Sequence, residues 1–305
     1  MELKYVDLDS VDAYNKLYGF PTLHPLVTVV DLRRATMLPN YLRVHYGLYA
    51  LYLKNGTGCT IKYGRRTYDY QEGTVVSFAP GQTVDVVVQP GEERMRDVQG
   101  ILFHPDLIWG TPLGQKIGGF DFFDYTSMEA VHLSEEERGI FLDCLAKIQE
   151  ESRHPVDNHS SSVLSAGIQL LLEYMDRFYD RQFITRHKAN CEIVTQFERR
   201  LREYYETPGM KDNIPSVGEF AAMANLSPKY FSELVKRETG TGPKTLIMRQ
   251  MVNVAKHRLA ASEADVAEIA YDLGFQHPAH FSRMFKRMEG MSPSEYRNSL
   301  EQDRR

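Results

Sequence analysis

The sequence predicts a multidomain α+β protein, in which an N-terminal antiparallel β-barrel with helices precedes a C-terminal all-α domain. Three observations support this prediction. Apolar and polar residues alternate through about residues 25–105, apolar residues recur at helical spacing through about 131–189, and one basic decapeptide occurs twice near the C-terminus. A chain of 305 residues is long enough for two domains of ordinary size.

Short strands separated by Gly, Pro and Asn are expected in the N-terminal region. The run CTIKYGRRTYDY alternates through Cys59, Ile61 and Tyr63, and EGTVVSFAPGQTVDVVVQPG follows it. Six or seven strands of this kind predict an antiparallel sandwich or barrel.

Two helices are expected between the strand-rich region and the C-terminal repeat. The first, LSEEERGIFLDCLAKIQEE, begins with a cap at Ser134. The second, SSSVLSAGIQLLLEYMDRFYDRQF, has an apolar stripe formed by Leu164, Ile168, Leu171, Leu172, Met175 and Phe178. Such a stripe is buried in a folded protein. It packs either on the barrel of its own chain or against the same helix of a second subunit.

The C-terminal repeat is most evident in two decapeptides, FSELVKRETG from Phe231 and FSRMFKRMEG from Phe281, which are identical at five of ten positions. The similarity extends to SVGEFAAMANLSPKYFSELVKRETGTGP and DVAEIAYDLGFQHPAHFSRMFKRMEGMSP. The offset is 49 residues before the turn and 50 after it, so the second copy has one additional residue in its turn.

Each copy predicts a short helix, a tight turn and a second helix. The first helices, about 217–224 and 266–273, each follow a capping signature: Ser216 with Glu219, and Asp265 with Glu268. The second helices have one apolar stripe and end at a glycine: Phe231, Leu234, Val235 and Gly240, then Phe281, Met284, Phe285 and Gly290. This arrangement is a helix-turn-helix. The simpler alternative is two packing hairpins without DNA contact, and the matching caps, turns and basic pairs favour DNA binding.

The formal net charge of −5 is distributed unevenly. Residues 190–305 contain 17 Lys and Arg against 16 Asp and Glu, whereas residues 1–189 contain 19 against 25. A net charge near zero does not exclude nucleic-acid binding, because what matters is the clustering of cations on one face. The second helix of each copy has such a cluster, with three basic residues in 229–237 and three in 283–287.

The stretch from about Glu192 to Leu300 resembles the DNA-binding domain of AraC/XylS-type transcription regulators. The resemblance is carried by IAYDLGFQHPAHFSRMFKRMEGMSPSEYR, by SPKYFSELVKRETG, and by Arg249, Ala255 and Leu259. It implies an AraC-type DNA-binding domain at residues 190–305. The parts that it implies are two helix-turn-helix units at about 216–240 and 265–290, a linker helix at about 244–260, and a bracing helix at about 192–205.

The resemblance also implies which side chains face DNA. They are Lys229, Ser232, Glu233 and Lys236 in the first copy, and Gln276, Ala279, Ser282, Arg283 and Lys286 in the second. Arg283 is the expected base reader, because arginine can contact guanine O6 and N7 with two hydrogen bonds. Lys236 and Lys286 are expected to hold phosphates. Glu233 either accepts from a cytosine amine or is solvated, and Arg237 and Arg287 either hold phosphate or face solvent.

In the N-terminal region, YGRRTYDYQEGTVVSFAPGQ resembles the cupin-type barrel that precedes the DNA-binding domain in many AraC relatives. The strand rhythm and the run Gly73–Gly81 carry this resemblance. It implies an effector-binding domain at residues 1–130, with His24, Arg33, His45 and Tyr49 as candidate ligand contacts. A barrel that binds nothing and only positions a dimer is the alternative.

Cupin enzymes hold a metal through paired histidines and a carboxylate. His45 has no second histidine nearby, and GQTVDV after Pro80 contains none, so a set of three or four ligands is missing. We therefore expect no metal, no cofactor and no enzymatic activity. The widely spaced Cys59, Cys144 and Cys191 are expected to be reduced thiols.

The resulting hypothesis is a sequence-specific DNA-binding transcription regulator, an activator controlled by a small-molecule effector. Its expected partners are double-stranded DNA, RNA polymerase and a second copy bound through residues 131–189. One alternative is a constitutive regulator whose barrel only dimerises or recruits a partner, and another is a cupin-type enzyme fused to a DNA-binding domain. No apolar run approaches the roughly 18 residues of a membrane helix, and MELKYVDLDS lacks signal-peptide features, so a cytoplasmic protein is expected.

Overall fold

The computed structural model describes residues 4–37, 39, 41–54, 62–63, 66–67, 73–87, 97–126, 129–206, 213–261 and 264–303. The chain divides into two compact units, residues 1–186 and 187–305. Most of the run CTIKYGRRTYDY, including Cys59 and Ile61, lies outside the described residues. Within the described part, no helix combines the length and the apolar character needed to cross a membrane.

The first unit contains two sheets and a short hairpin. Its strands are β1 (Lys4–Leu8), β2 (Val27–Asp31), β3 (Tyr41–Tyr46), β4 (Tyr49–Lys54), β5 (Lys62–Tyr63), β6 (Arg66–Thr67), β7 (Thr74–Phe78), β8 (Thr83–Val87), β9 (Val98–Phe103) and β10 (Val131–His132). The order is β1–β3–β8 in one sheet, β10–β7–β4–β9–β2 in the other, and β5–β6 in the hairpin.

The expected mixed α+β class is confirmed, but the described strands do not form a closed antiparallel barrel. They form two open sheets, and β1 pairs with β3 in parallel, from Lys4 opposite Leu42 to Leu8 opposite Tyr46. A parallel pair needs a crossover connection, which α1 (Val11–Tyr18) and β2 provide here. The other ladders are antiparallel.

The core of the first unit lies between the two sheets and α1. Ser10 caps α1 by accepting from the Ala13 N–H at 3.2 Å, and this helix inserts Tyr14 and Tyr18 into the core. The other buried members include Leu8, Val30, Leu42, Val44, Tyr46, Leu48, Tyr52, Val76 and Leu102. Aromatic stacking contributes to this packing, because the Tyr46 and Phe78 rings lie 4.9 Å apart.

Helices cover one side of the first unit. They are α2 (Pro105–Ile108), α3 (Pro112–Lys116), α4 (Glu135–Glu151) and α5 (Ser160–Thr185). The predicted cap of α4 is confirmed, since Ser134 and Glu137 form a reciprocal capping box. The six residues of the α5 stripe are at most 2% exposed, so the stripe packs inside its own chain. Gln182 ties α5 to β10 by accepting from the His132 N–H at 2.9 Å.

The second unit is helical. Its elements are α6 (His187–Glu206), α7 (Val217–Met223), α8 (Pro228–Thr239), α9 (Pro243–Ala261), α10 (Val266–Asp272), α11 (Pro278–Glu289) and α12 (Pro293–Asp303). The two copies of the sequence repeat are therefore α7–α8 and α10–α11, and α9 joins them.

The two repeat turns have the same hydrogen bonds. In the first, the Leu226 N–H donates to the Ala221 carbonyl at 2.9 Å, and in the second, the Phe275 N–H donates to the Ala270 carbonyl at 3.0 Å. Each turn places one residue in the left-handed region, with φ of 55° and 91° for Asn225 and Gly274 respectively. This pattern is a Schellman motif, which ends the first helix and redirects the chain toward the second.

The helix caps agree with the prediction in all but one case. Ser216 and Glu219 form the capping box of α7, and both Gly240 and Gly290 end their helices in the left-handed conformation. Asp265 makes no side-chain cap hydrogen bond, so its predicted capping box is wrong. The chain before α10 is held instead by Arg297, which donates to the Ala264 carbonyl at 2.7 Å.

We expect Gly274→Ala to loosen the second helix-turn-helix. A Cβ at this position, which has φ of 91°, would lie 2.6 Å from the backbone carbonyl of Asn213. The matched control is Gly240→Ala, where φ is 71° and a Cβ meets nothing within 4 Å. Backbone strain alone costs the control about 1–2 kcal/mol, and the clash adds to that cost at Gly274.

Hydrogen exchange measured by mass spectrometry on α10 and α11 tests this expectation. Gly274→Ala should accelerate exchange in these helices by more than Gly240→Ala does in α8. Equal effects of the two variants would show that the close contact at Gly274 has no energetic role.

The environment of His132 predicts a pH-dependent stability of the first unit. Its ring is 4% exposed, and its Nε2 is buried without a hydrogen-bond partner among the described residues. Burial, and then the charges of Arg186 and Arg181, lower the pKa of His132 from 6.5 to about 4. The unfolded chain therefore takes up a proton in this interval while the folded chain does not.

We therefore expect the free energy of unfolding to decrease as the pH falls from about 6.5 to about 4, and to be retained above that window. His132→Gln removes the titrating group, so its curve should be flatter across the same interval. Urea unfolding followed by circular dichroism over this pH range measures the difference. Parallel curves for the two proteins would contradict the prediction.

Candidate nucleic-acid interface

Aromatic contacts hold the first helix-turn-helix against α6. The ring of Phe197 on α6 forms T-shaped contacts with Phe220 and Phe231, with centroid distances of 4.9 and 5.4 Å. Phe231 is 1% exposed, which confirms the prediction that it belongs to the core. Helix α6 therefore braces both α7 and α8.

The second helix-turn-helix is closed by a similar aromatic chain. Phe281 lies 5.4 Å from Phe275 and 5.8 Å from Phe285, and Phe285 lies 5.7 Å from Tyr296 on α12. Phe281 and Phe285 are fully buried. The aromatic residues of the repeated segment thus face inward, and this leaves the opposite sides of α8 and α11 to polar residues.

Helix α9 fixes the two copies to each other within the second unit. It contacts α8 of the first copy and both α10 and α11 of the second. Its buried residues are Ile247, Met251, Val252, Ala255 and Leu259. An ion pair between Lys256 and Glu289 also joins α9 to α11. This arrangement makes the two copies parts of a single packed body.

The outer side of α8 carries the four residues expected to face DNA. Lys229 and Lys236 are exposed, whereas Ser232 and Glu233 are half-buried. The Ser232 hydroxyl donates to the Pro228 carbonyl at 2.7 Å. The Glu233 carboxylate accepts from Arg237 Nε at 2.8 Å. The charge of Glu233 is therefore compensated by Arg237, one helical turn away. This i,i+4 spacing is visible in the sequence, but the pairing was not among the predictions.

The outer side of α11 is more uniformly cationic. Arg283 and Lys286 are exposed, and Arg283 Nε donates to the Ala279 carbonyl at 3.4 Å. Ala279 is also exposed, Ser282 is half-buried, and Gln276 lies exposed in the turn before the helix. The five expected residues of the second copy thus lie on α11 and its preceding turn, with their most exposed members opposite the buried aromatic residues.

Two other arginines were left open by the sequence. The structure pairs Arg237 with Glu233, and Arg287 donates to the sulfur of Met248 on α9 at 3.7 Å. Lys236 and Lys286 occupy equivalent positions in the two copies. Each directly precedes one of these arginines, and both are exposed. The lysines therefore point outward while the arginines are engaged along the protein surface.

A cavity of about 200 Å³ lies in the first unit between β2, β9 and α4. Its lining combines apolar residues, among them Val29, Leu142 and Leu145, with the polar residues Asp31, Arg33, Arg34, Gln99 and Gln149. The Arg33 guanidinium donates two hydrogen bonds to the Asp31 carboxylate, at 2.8 and 2.7 Å. This contact holds the pKa of Asp31 below its usual value. Asp31 thus faces two arginines, and the charge of Asp97 also acts on Arg33.

Only Arg33 among the four expected effector contacts lines this cavity. His24 is 4% exposed, and its Nδ1 accepts from the Leu26 N–H at 3.1 Å. His45 contacts Thr83 at 3.1 Å on an exposed part of the sheet. Tyr49 packs against Phe103, with ring centroids 5.1 Å apart. The other cavity residues were not found from the sequence, because they come from separate strands and a helix.

Comparison with known proteins extends the description of the second unit. Residues 220–299 match a family model for a helix-turn-helix domain. The chain is 26% identical over 148 residues to the probable transcriptional regulator LumQ of Photobacterium leiognathi, covering 48% of this chain and 55% of that protein. It is 25% identical over 248 residues to the arabinose operon regulatory protein of Escherichia coli (strain K12), covering 79% of this chain and 77% of that protein.

A solved structure also aligns with the C-terminal region. The DNA-binding domain of AdpA, in complex with a target DNA, is 27% identical, covers 38% of this chain and 95% of that chain, and has a TM-score of 0.32. The chain spans about half the length of LumQ and about three quarters of the arabinose operon regulator. Helices α7 to α12 of this chain form an AraC-type helix-turn-helix domain of the AraC/XylS family of transcription regulators.

Proposed function

We propose that this protein is a transcription regulator that binds double-stranded DNA in a sequence-specific manner through α8 and α11. The observation that carries the proposal is the pair of matching helix-turn-helix units packed on one helix, α9, each with an exposed polar face. A single recognition helix contacts only a few base pairs. Two of them on a common support read two short elements about one helical turn apart, roughly 34 Å along the duplex.

The exposed faces divide into residues that specify bases and residues that set affinity. Arg283 is exposed, and the hydrogen bond from its Nε to the Ala279 carbonyl is long, at 3.4 Å, so a guanine can replace this contact. Lys236 and Lys286 occupy equivalent exposed positions near the ends of their helices. A flexible ammonium at this position suits a phosphate, which carries no sequence information directly.

We also propose that a small anionic effector binds in the cavity between β2 and α4. Arg33 and Arg34 suit a carboxylate, and the neighbouring apolar lining residues, such as Leu142, suit a short apolar body. Such a ligand would compete with Asp31 for the Arg33 guanidinium. The remaining parts of the proposal are activation through RNA polymerase, a cytoplasmic location and a homodimer without catalytic activity. Exposed Val163 and Leu170, seven residues apart on α5, favour the outer side of this helix as the dimer surface.

Selection of genomic fragments by the full-length protein tests DNA recognition. The expected product is a small set of sites with two elements about 10–10.5 base pairs apart, centre to centre. Recovery of fragments with no common sequence at near-physiological salt, with and without a cell extract of small molecules, would contradict the proposal.

For the recovered site, we expect Arg283→Ala to cost about 1–3 kcal/mol of binding free energy and to relax the preference at one base pair. The matched control is Arg202→Ala, which removes an exposed arginine from α6 and should preserve the preference. Competition binding with a set of single-base variants of the site measures both effects. An unchanged preference in Arg283→Ala would refute its assignment as base reader.

We expect Lys286→Ala to weaken binding to all sequences alike. Loss of one phosphate contact should reduce the slope of log K against log salt by about 0.9. Titrations at several salt concentrations, on the preferred site and on unrelated DNA, measure this slope. A variant that loses affinity only for the preferred site would instead indicate that Lys286 contacts a base.

A thermal-shift screen of small carboxylates tests the effector site. A ligand that binds the folded state raises the unfolding temperature, and we expect Arg33→Ala to abolish this shift. The matched control is Arg43→Ala, because Arg43 forms the same two-bond pair with Asp85 on exposed strands away from the cavity. A shift that survives Arg33→Ala but not Arg43→Ala would place the ligand elsewhere.

A further inference from the structure

Three side chains that can bind a metal ion lie close together where the start of α6 approaches the end of α8. His187 and Cys191 stand one helical turn apart on α6, and Glu238 lies in the last turn of α8. One ligand atom from each side chain lies within 4.8 Å of the other two. All three residues belong to the second unit.

Their separations are close to those of a tetrahedral metal site. The Cys191 sulfur lies 3.7 Å from His187 Nδ1 and 3.4 Å from Glu238 Oε2. Ligand atoms bound to Zn²⁺ at about 2.0–2.3 Å, with tetrahedral angles, lie about 3.4–3.6 Å from each other. The remaining pair is closer, since His187 Nδ1 and Glu238 Oε2 are 2.7 Å apart. Binding of an ion requires the distance between these two atoms to increase by less than about 1 Å.

We propose that His187, Cys191 and Glu238 bind one Zn²⁺ ion through an imidazole nitrogen, a thiolate and a carboxylate oxygen. This mixture of ligands favours Zn²⁺ over Mg²⁺ and Ca²⁺, which prefer oxygen alone. The thiol releases its proton to solvent when its sulfur binds the ion. Water occupies the fourth tetrahedral position.

The exposure of the three side chains shows how an ion reaches the site. The His187 side chain is 70% exposed, whereas that of Glu238 is only 9% exposed. Glu238 is therefore a fixed ligand held by α8, and His187 is the ligand open to solvent. Cys191 follows His187 by four positions and Glu238 follows Cys191 by 47 positions, a spacing that matches no common zinc-binding motif.

Binding at this position would cross-link two helices of the DNA-binding unit. His187 is the first residue of α6 and of the second unit, and Glu238 follows the exposed Lys229 and Lys236 on α8. An ion that binds only the folded arrangement stabilises it by mass action. The site therefore makes the stability of the first helix-turn-helix dependent on Zn²⁺.

Titration of the full-length protein, purified without a polyhistidine tag, with Co²⁺ as a spectroscopic substitute tests the site. We expect one equivalent of Co²⁺ to give thiolate-to-metal charge-transfer absorption and the visible bands of a tetrahedral ion. Cys191→Ser should lose the charge-transfer band. Zn²⁺ should raise the unfolding temperature of the wild type but not that of His187→Gln.

Matched controls separate this site from other thiols and histidines. Cys144→Ala changes a buried thiol on α4, and His257→Gln changes an exposed histidine on α9, and both should keep the band. Absence of the band in the wild type, or its persistence in Cys191→Ser, would overturn the proposal. If Cys191→Ser does not fold, His187→Gln decides, because unchanged Zn²⁺ affinity in this exposed-residue variant would equally overturn it.

Discussion

The left-handed residue between the two helices of each copy is the constraint on which the DNA-binding unit depends. Asn225 and Gly274 end α7 and α10 with the same backbone hydrogen bonds, and so redirect the chain toward α8 and α11. If either turn opened, the buried aromatic side of its second helix would lose its packing partners. The polar side of that helix would then no longer be held at a defined angle.

Helix α9 holds the two helix-turn-helix units in a fixed position relative to each other. Because it packs against helices of both copies, the spacing between α8 and α11 is set by a buried side-chain interface and not by a flexible connection. A rigid spacing restricts the protein to DNA elements that are a fixed distance apart. It also avoids the entropic cost that two tethered units would have on binding together.

Much of the second unit was predictable because its information is local. Capping residues, helical apolar spacing and the glycines at 240 and 290 lie within a few positions of the structure that they specify. The first unit was less predictable, because strand pairing depends on residues far apart in the chain. The parallel pairing of β1 with β3, the cavity beside Arg33 and the approach of Glu238 to Cys191 all involve such distant contacts. Periodicity gives no indication of them.

The pairing of Glu233 with Arg237 makes the two recognition helices electrostatically unequal. On α8 the charge of Arg237 is compensated by Glu233 within the same helix, whereas on α11 Arg283 and Lys286 are exposed and the acidic group that interacts with Lys286, Glu295, belongs to α12. Long-range attraction to a polyanion acts mainly through uncompensated charge. This inequality gives α11 the larger share of any long-range attraction to a duplex.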